Sequence, residues 1–232
     1  MRLEEYAGLP ISWERASAIF DHPAPPSTVC EHQFDGADDQ LEKLARAPYE
    51  DIDFSDLWYY HHDLAYVDLQ PELFAYLFPV CLMDWHDTLM KNTACSHGDS
   101  EFHYGIFHGK VFEKMLTPRQ LEAVTMFFRD SFLERLNLEQ SFAAVAQDPF
   151  GIWVGTYVWM LRFNSLGFIV PNIGSIWDAW WRLETHGRSI AALQYISDLM
   201  YFPGENRCSR NGQEGRAVHR TSGCIWHWAM TR

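Results

Sequence analysis

Basic residues are scarce in this chain. Its 232 residues contain 18 Lys and Arg against 31 Asp and Glu, which gives a formal net charge of -13 at pH 7. Proteins that bind a nucleic-acid duplex by neutralising phosphates carry a basic patch. The charge excludes a duplex-binding protein of this kind, and we predict that the chain binds no nucleic acid.

Cysteine pairs are also missing, and we expect no secretory leader. The five cysteines are an odd number, are widely scattered and include no Cys-x-x-Cys pair, which argues against a disulfide-stapled secreted fold. Glu4 and Glu5 stand where a signal peptide needs a basic stretch followed by an apolar run. We therefore expect a cytoplasmic protein with reduced thiols.

Common catalytic and nucleotide-binding signatures are absent as well. Neither Gly-x-Gly-x-x-Gly nor Gly-x-x-x-x-Gly-Lys occurs, and the chain has no Gly-x-Ser-x-Gly nucleophile elbow. The sequence therefore assigns no reaction, and whether the chain is an enzyme stays open.

One long apolar run is present, at residues 150–170, with Arg162 as its single charge. A membrane span needs about 20 predominantly apolar residues. Glycine and polar residues dilute this run, and its Trp and Tyr side chains lie in the middle rather than at the ends. We predict a buried core segment or a partner-facing helix, and no membrane association.

The clearest helix start lies at residues 116–120. Thr117 is placed to cap the first free amides, Pro118 takes the first helical position and Gln120 completes a capping box. The apolar residues that follow recur at steps of three and four. This pattern predicts a helix with one buried stripe to about residue 136.

A second helix start places Pro71 at the first helical position, with Glu72 next to it. Its apolar face continues to Leu89, and Pro79 lies inside the helix, where we expect it to kink or divide the helix. Shorter helices are predicted at residues 12–21, 37–47, 173–183 and 189–201. The predicted fold class is all-α, an irregular bundle of about six or seven helices with long loops and an irregular C-terminal tail.

Charge and composition divide the chain into three predicted parts. Residues 1–29 are expected to form a short helix and a Pro-rich linker, residues 30–206 a single helical domain, and residues 207–232 an irregular basic tail. The tail contains one acid and five bases, whereas residues 1–110 contain twenty acids and six bases. The negative charge is therefore concentrated in the first half of the chain.

Two helix-start motifs resemble a known pattern. Residues 69–79 read Leu-Gln-Pro-Glu-Leu-Phe-Ala-Tyr-Leu-Phe-Pro, and residues 116–120 read Leu-Thr-Pro-Arg-Gln. Together with Cys30, Glu31 and His32, these motifs resemble an uncharacterised bacterial family known only as a domain of unknown function. The resemblance covers residues 30–200 and implies a helical fold. It implies no activity.

Eleven histidines are many for this length, and several lie beside acids. His61, His62 and Asp63 form one cluster, and His86 and Asp87 form another. Imidazole and carboxylate groups are ligands for divalent metals, so the two clusters would form a site if they converged. Their spacing matches no established ligand signature. We therefore predict no cofactor, with a divalent metal as the alternative.

Two other groups of ligand-type side chains occur. One lies in a stretch that we predict to be a Gly-containing loop, and it comprises Cys95, His97, Asp99, His103 and His108. The other lies in the tail and comprises Cys208, His219, Cys224 and His227. The tail histidines are farther apart than the three to five residues of a zinc finger. Neither group supports a metal assignment.

The acidic segment at residues 50–68 is the basis of the leading functional hypothesis. It interleaves acids with aromatic side chains, and the predicted partner-binding residues are Glu50, Asp51, Asp53, Asp56, Trp58, Tyr59 and Tyr60. Negative potential attracts a basic surface, and buried aromatic side chains hold it. The alternative interpretation is a solvated acidic face beside ordinary core aromatics.

These features predict an acidic helical interaction protein that binds a basic protein partner. In its most specific form it is an immunity protein that neutralises a bacterial toxin. One alternative is a metal-assisted hydrolase or other small-molecule enzyme that uses the His and Asp clusters. Another is a subunit of a larger assembly that buries residues 152–170. The sequence leaves the oligomeric state open.

Overall fold

The computed structural model describes residues 10–92, 97–140, 155, 156, 159, 160 and 173–201. Within these residues the structure is helical and contains no strand, which confirms the predicted all-α fold class. The helices are α1 (Trp13–Ala18), α2 (Asp38–Arg46), α3 (Leu57–Tyr66), α4 (Pro71–Lys91), α5 (His97–Gly109), α6 (Val111–Met115), α7 (Pro118–Asn137), α8 (Ile173–Trp181) and α9 (His186–Tyr201). Two 3-10 turns, Tyr49–Asp51 and Phe54–Asp56, precede α3.

Local signals set where the two longest of these helices begin. At the start of α7, the Gln120 N–H donates to Thr117 Oγ1 at 3.3 Å, and the Thr117 N–H donates to Gln120 Oε1 at 3.0 Å. These two bonds are the predicted capping box. Pro71 and Pro118 hold the first positions of α4 and α7, where no N–H is needed. Both predicted helix starts are confirmed.

Helix α4 runs unbroken through Pro79. Of the two effects expected of Pro79, a kink or a division, division of the helix does not occur. Proline removes one intrahelical hydrogen bond, but α4 lies at the centre of the fold and packs against α1, α2, α5 and α7. Packing on several sides keeps α4 a single helix even though proline in a helix interior disfavours the helix locally.

One apolar core joins the helices. Phe20, just after α1, meets the rings of Phe74 and Phe78 on α4 edge to face at 5.9 Å in each case. Helix α1 therefore shares the core of the larger body. The largest fully buried apolar side chains of this core are Tyr60, Phe74, Phe78, Phe102, Phe112, Phe127, Phe128, Phe132 and Trp180.

Helix α5 occupies the stretch that the glycine content predicted to be a loop, so that prediction is wrong for His103 and His108. The glycines serve close packing instead. A Cβ added at Gly105 would lie 2.5 Å from the carbonyl oxygen of His61, and one at Gly109 would lie 1.7 Å from that of Leu64. Only glycine permits this approach of the two backbones. The pair therefore sets how closely α3 and α5 pack.

The apolar run at residues 150–170 and the tail at residues 207–232 lie largely or wholly outside the described residues, as does Cys95. Within the run, Trp159 and Met160 are buried, and Trp159 Nε1 donates to Asn92 Oδ1 at 2.8 Å. Among the helices that the structure describes, none has the length and apolar character needed to cross a membrane.

Candidate functional site

The predicted partner-binding acids lie at the surface before α3. Glu50, Asp51 and Asp53 are exposed. Asp56 is half-buried, and its Oδ2 accepts a hydrogen bond from Lys43 Nζ at 3.1 Å. Tyr60, in contrast, is fully buried in the core. The side chain of Tyr60 is therefore not part of the exposed surface that the sequence predicted for it.

The acidic segment has little positive charge to balance it. Residues 31–72 contain twelve acids, and their two basic residues are Lys43 and Arg46. Lys43 is paired with Asp56, and Arg46 is paired with Glu42 at 2.9 Å. Both cations are thus engaged by their own neighbours. The other surface acids of residues 31–72 keep a negative charge that no Lys or Arg within this range compensates.

A continuous line of ring contacts runs along α3 beside these acids. Trp58, His62 and Tyr66 lie one turn apart on one face of the helix, with ring centroids separated by 4.6 and 6.4 Å. Tyr59 meets Trp58 edge to face at 4.9 Å, and Phe34 stacks on Tyr66 at 4.5 Å. We call these five residues the aromatic row.

The end of the aromatic row formed by Phe34 and Tyr66 is its most exposed part. Phe34 exposes 61% of its surface and Tyr66 exposes 47%. The Tyr66 hydroxyl donates to the Tyr104 hydroxyl on α5 at 2.8 Å, and Tyr104 lies 4.0 Å from the ring of His108. Adjacent exposed aromatic rings are typical of interaction surfaces. The acidic segment pointed to Trp58, but no sequence signal pointed to Phe34.

Two buried acids lie next to the aromatic row. Glu31 is 4% exposed and Asp63 is 0% exposed. Asp63 Oδ1 accepts the backbone N–H of Phe34 at 3.0 Å, and Glu31 Oε2 accepts the backbone N–H of Gln70 at 2.7 Å. Asp63 precedes Tyr66 by three residues on α3, which places both on the same side of the helix. The exposed end of the row therefore adjoins the buried acids.

Side chains hold the non-helical residues 28–37, which we call the connecting segment. Gln70 Oε1 accepts the Cys30 N–H at 2.7 Å, and Gln70 Nε2 donates to the Thr28 carbonyl at 2.9 Å. Asp38 Oδ1 accepts the Gln33 N–H at 2.8 Å. Together with the bonds of Glu31 and Asp63, these contacts fix the connecting segment against α3 and α4.

Several buried polar atoms in this region have no hydrogen-bond partner among the described residues. They are Glu31 Oε1, Asp63 Oδ2, the Tyr60 hydroxyl and both amide atoms of Gln33. Buried polar groups nearly always have partners, so such a concentration of exceptions requires an explanation. We call Glu31, Gln33, Tyr60 and Asp63 the buried polar cluster.

The electrostatics of the buried polar cluster are unusual. Burial raises the pKa of Glu31 to about 7, although the Gln70 N–H opposes the rise. Burial also raises the pKa of Asp63 to about 7, against the Phe34 N–H and with the charge of Glu31 adding to the rise. The Tyr60 pKa is raised well above its usual value by burial and by both carboxyls. The two acids therefore titrate as an interacting pair near neutral pH.

The three residues of the first predicted metal cluster have three different environments. His61 is buried with its ring 5.2 Å from Phe102. His62 instead faces Glu101 on α5, with Nε2 and Oε2 separated by 3.2 Å. Asp63 turns to the connecting segment through the N–H of Phe34.

The second predicted metal cluster has different neighbours again. His86 Nδ1 forms a hydrogen bond with Ser131 Oγ on α7, and burial lowers the His86 pKa. Asp87 pairs with Lys91 on its own helix. Across the residues that the structure describes, no group of three or more His, Cys, Asp and Glu side chains is placed to hold a metal ion. The structure therefore does not bring the two clusters together around one site.

Comparison with known proteins finds no matching family model, curated protein or solved structure. The likeness to a bacterial family at the helix starts therefore stays a resemblance of motifs. The features that bear on function are the aromatic row, the acids beside it and the buried polar cluster.

Proposed function

We propose that this chain is an interaction protein that binds a basic protein partner through the aromatic row and the acids beside it. The observation that supports this function most strongly is the row itself, five rings in continuous contact with two exposed rings at one end. In its narrower form, the proposal is an immunity protein that neutralises a bacterial toxin with a basic surface.

The aromatic row supplies the contact energy of the proposed interface. Large aromatic side chains dominate the binding energy of many interfaces. Phe34 and Tyr66 are already stacked in the free protein. Their side chains therefore lose little conformational freedom when a partner covers them, which lowers the cost of binding.

The acids supply attraction and selectivity for a basic surface. Glu50, Asp51 and Asp53 are exposed before α3, and Asp35 and Asp39 are exposed near Phe34 in the chain. Complementary charge raises the association rate and disfavours acidic competitors. Salt screens exposed charges, so binding should weaken as ionic strength rises.

The metal-assisted hydrolase gains no support from the geometry. Its residues His62, His86 and Asp87 are engaged with Glu101, Ser131 and Lys91 respectively. The described part of the chain offers no three-ligand group. Binding of a partner is the better supported of the two functions.

Site-specific photo-crosslinking in the native host tests the proposed surface. Phe34→p-benzoylphenylalanine places the probe at the exposed end of the aromatic row. Leu193→p-benzoylphenylalanine is the matched control, because Leu193 is an exposed apolar residue on α9. We expect a single basic protein to be captured from position 34 and not from position 193. Equal capture at both positions, or capture of an acidic protein at position 34, would contradict the proposal.

Charge reversal then tests the acids against the captured protein in purified form. The variant Asp51→Lys with Asp53→Lys should lower the affinity about tenfold, mainly through the association rate. Glu122→Lys with Asp178→Lys is the control, because both residues are exposed acids on other helices, α7 and α8. Equal affinities of the two variants would show that the acidic segment does not attract the partner.

A further inference from the structure

Among the residues that the structure describes, none supplies the buried polar cluster with the counter-charge that a pair of buried acids requires. Taking an ionised carboxylate out of water is costly unless a cation and hydrogen-bond donors compensate it. Glu31 and Asp63 each accept one backbone N–H, but neither is paired with a Lys, Arg or His among the described residues. Each also has a second oxygen without a partner there. The cluster therefore has the chemistry to accept a cation.

We propose that the buried polar cluster is a binding site for one monovalent organic cation, a guanidinium or alkylammonium group. Such a group carries several N–H donors and one positive charge. Glu31 Oε1, Asp63 Oδ2 and the Gln33 amide oxygen are the unpartnered acceptors that would receive these donors. The Tyr60 hydroxyl adds a further acceptor beside the two carboxyls.

The chemistry of the cluster favours an organic cation over two other ligand classes. A neutral ligand would leave the carboxyl charge unpaired in a buried environment. A divalent metal needs a compact set of ligating side chains, and the described residues contain no such group of three or more His, Cys, Asp and Glu. Guanidinium and ammonium groups, in contrast, bind carboxylates through N–H donors in defined directions.

The aromatic row lies next to the cluster. Asp63 accepts the backbone N–H of Phe34, whose side chain is largely exposed. The cluster is thus one hydrogen bond from the surface. The stacked rings of Phe34 and Tyr66 at this point present π faces, which attract organic cations.

The titration behaviour of the site agrees with this assignment. Buried acids without a cation have raised pKa values, as both carboxyls do. The charged groups that raise the pKa of Asp63 or Tyr60 further are Glu31, Asp35, Asp38, Cys81 and Asp63 itself, all of which are acidic. The nearby imidazoles are buried His61, whose ring lies 5.2 Å from Phe102, and exposed His32, which pairs with Asp38.

Amide NMR on the full chain tests the proposal with ethylguanidinium chloride as the probe and ethylurea as its neutral control. The N–H groups of Gln70 and Phe34 report directly on Glu31 and Asp63, because each donates to one carboxyl. The Ser55 N–H donates to the surface acid Asp53 at 2.9 Å and serves as the internal control. We expect ethylguanidinium to shift the Gln70 and Phe34 resonances saturably, with ethylurea and Ser55 showing no such response.

The isosteric variant Glu31→Gln with Asp63→Asn removes both charges and keeps both acceptor oxygens. We expect its affinity for ethylguanidinium to fall about tenfold or more, which corresponds to about 1.4 kcal/mol. Asp178→Asn removes an exposed charge on α8, outside the proposed interface, and should leave the affinity unchanged. Equal shifts with ethylurea, the absence of a saturable shift in the native chain, or undiminished binding in the double variant would each overturn the proposal. A saturable response to Zn²⁺ in its place would also overturn it.

The cation has two possible sources, a side chain of a protein partner or a free small amine. A blocked Gly-Arg-Gly peptide separates them, because it presents the same guanidinium group on a backbone. Tighter binding of the peptide than of ethylguanidinium identifies an Arg or Lys side chain as the source. Weaker binding of the peptide identifies a free small cation. The site itself does not depend on the proposed partner interface, so failure of either proposal leaves the other testable.

Discussion

Two of the buried charged sites among the described residues are built in opposite ways. On α1, the guanidinium of buried Arg15 contacts Asp130 Oδ2 on α7 at 2.6 Å and lies 5.9 Å from the centre of the Phe127 ring. Beside α3, Glu31 and Asp63 are both acids and have no cation among the described residues. The first site joins two helices through opposite charges. The second places like charges together.

This difference separates a structural site from a candidate functional one. Removing one member of a buried ion pair leaves the other unpaired, so it destabilises the fold. Removing charge from a buried pair of acids relieves repulsion and desolvation, so it should stabilise the fold. Acids whose pKa values are shifted and whose burial lowers the stability of the fold are typical of functional sites. The two sites therefore predict opposite signs for chemically similar substitutions.

The largest expected effect is at the ion pair. Asp130→Asn removes the carboxylate that contacts buried Arg15 and also pairs with Arg129, and we expect the free energy of unfolding to fall by about 3 kcal/mol in urea denaturation at pH 7. Asp56→Asn is the control, because it removes the same group from a pair with exposed Lys43. Its effect should stay below about 1 kcal/mol. Similar losses in both variants would show that Arg15 and Asp130 are not a buried structural pair.

A smaller effect of opposite sign is expected at the acids. The folded-state pKa values of Glu31 and Asp63 lie above the usual values of 4.5 and 3.8. The folded chain therefore binds more protons than the unfolded chain, and the stability that these groups confer at low pH is lost as pH rises to about 7. Glu31→Gln with Asp63→Asn should therefore raise the free energy of unfolding at pH 8 by about 1 to 2 kcal/mol. This is less than the full linkage of about 1.4 kcal/mol per pKa unit, because the variant also loses the charge-assisted hydrogen bonds from the Gln70 and Phe34 N–H groups.

Urea denaturation of the native chain and this double variant at pH 5 and pH 8 checks the expectation. The native chain should lose stability between the two pH values by more than the double variant does. A double variant that is less stable than the native chain at pH 8 would mean that the two carboxylates are favourably compensated in the folded protein. That result would contradict the proposed difference between this site and the Arg15–Asp130 pair.

The smallest effect distinguishes two buried tyrosines. The Tyr76 hydroxyl donates to the Ala47 carbonyl, whereas the Tyr60 hydroxyl has no partner among the described residues. Tyr76→Phe should cost about 1 kcal/mol, the usual value of a hydrogen bond. Tyr60→Phe should change the free energy of unfolding by less than about 0.5 kcal/mol. If Tyr60→Phe cost as much as Tyr76→Phe, the hydroxyl would have to be satisfied in the free protein.

Sequence reasoning predicted the helices whose signals are local. Thr117 and Gln120 cap α7 within one turn, and Pro71 opens α4, so a short stretch of sequence contains all the information. Helix α5 was missed because Gly105 and Gly109 are explained only by the backbone of α3, about forty residues earlier in the chain. Glycine content alone does not distinguish a loop from a close helix contact.

The candidate site was predictable only in part. The exposure of Glu50, Asp51 and Asp53 followed from composition, since solvated acids are usual. The buried polar cluster did not, because its defining bonds join Glu31 to Gln70 and Phe34 to Asp63 across 39 and 29 residues. No pattern in a single sequence marks such long-range contacts.

The central claim is that Glu31 and Asp63 are buried together without a compensating cation among the described residues. Carbon-detected NMR titration of their side-chain carboxyl carbons tests this claim most directly. The structure predicts that both carboxyls titrate near pH 7. It also predicts that Glu31→Gln lowers the midpoint of Asp63, because the charge of Glu31 contributes to the raised pKa. Midpoints near pH 4 for both groups, with no change of Asp63 in the Glu31→Gln variant, would show that the two acids are neither buried together nor in need of a cation.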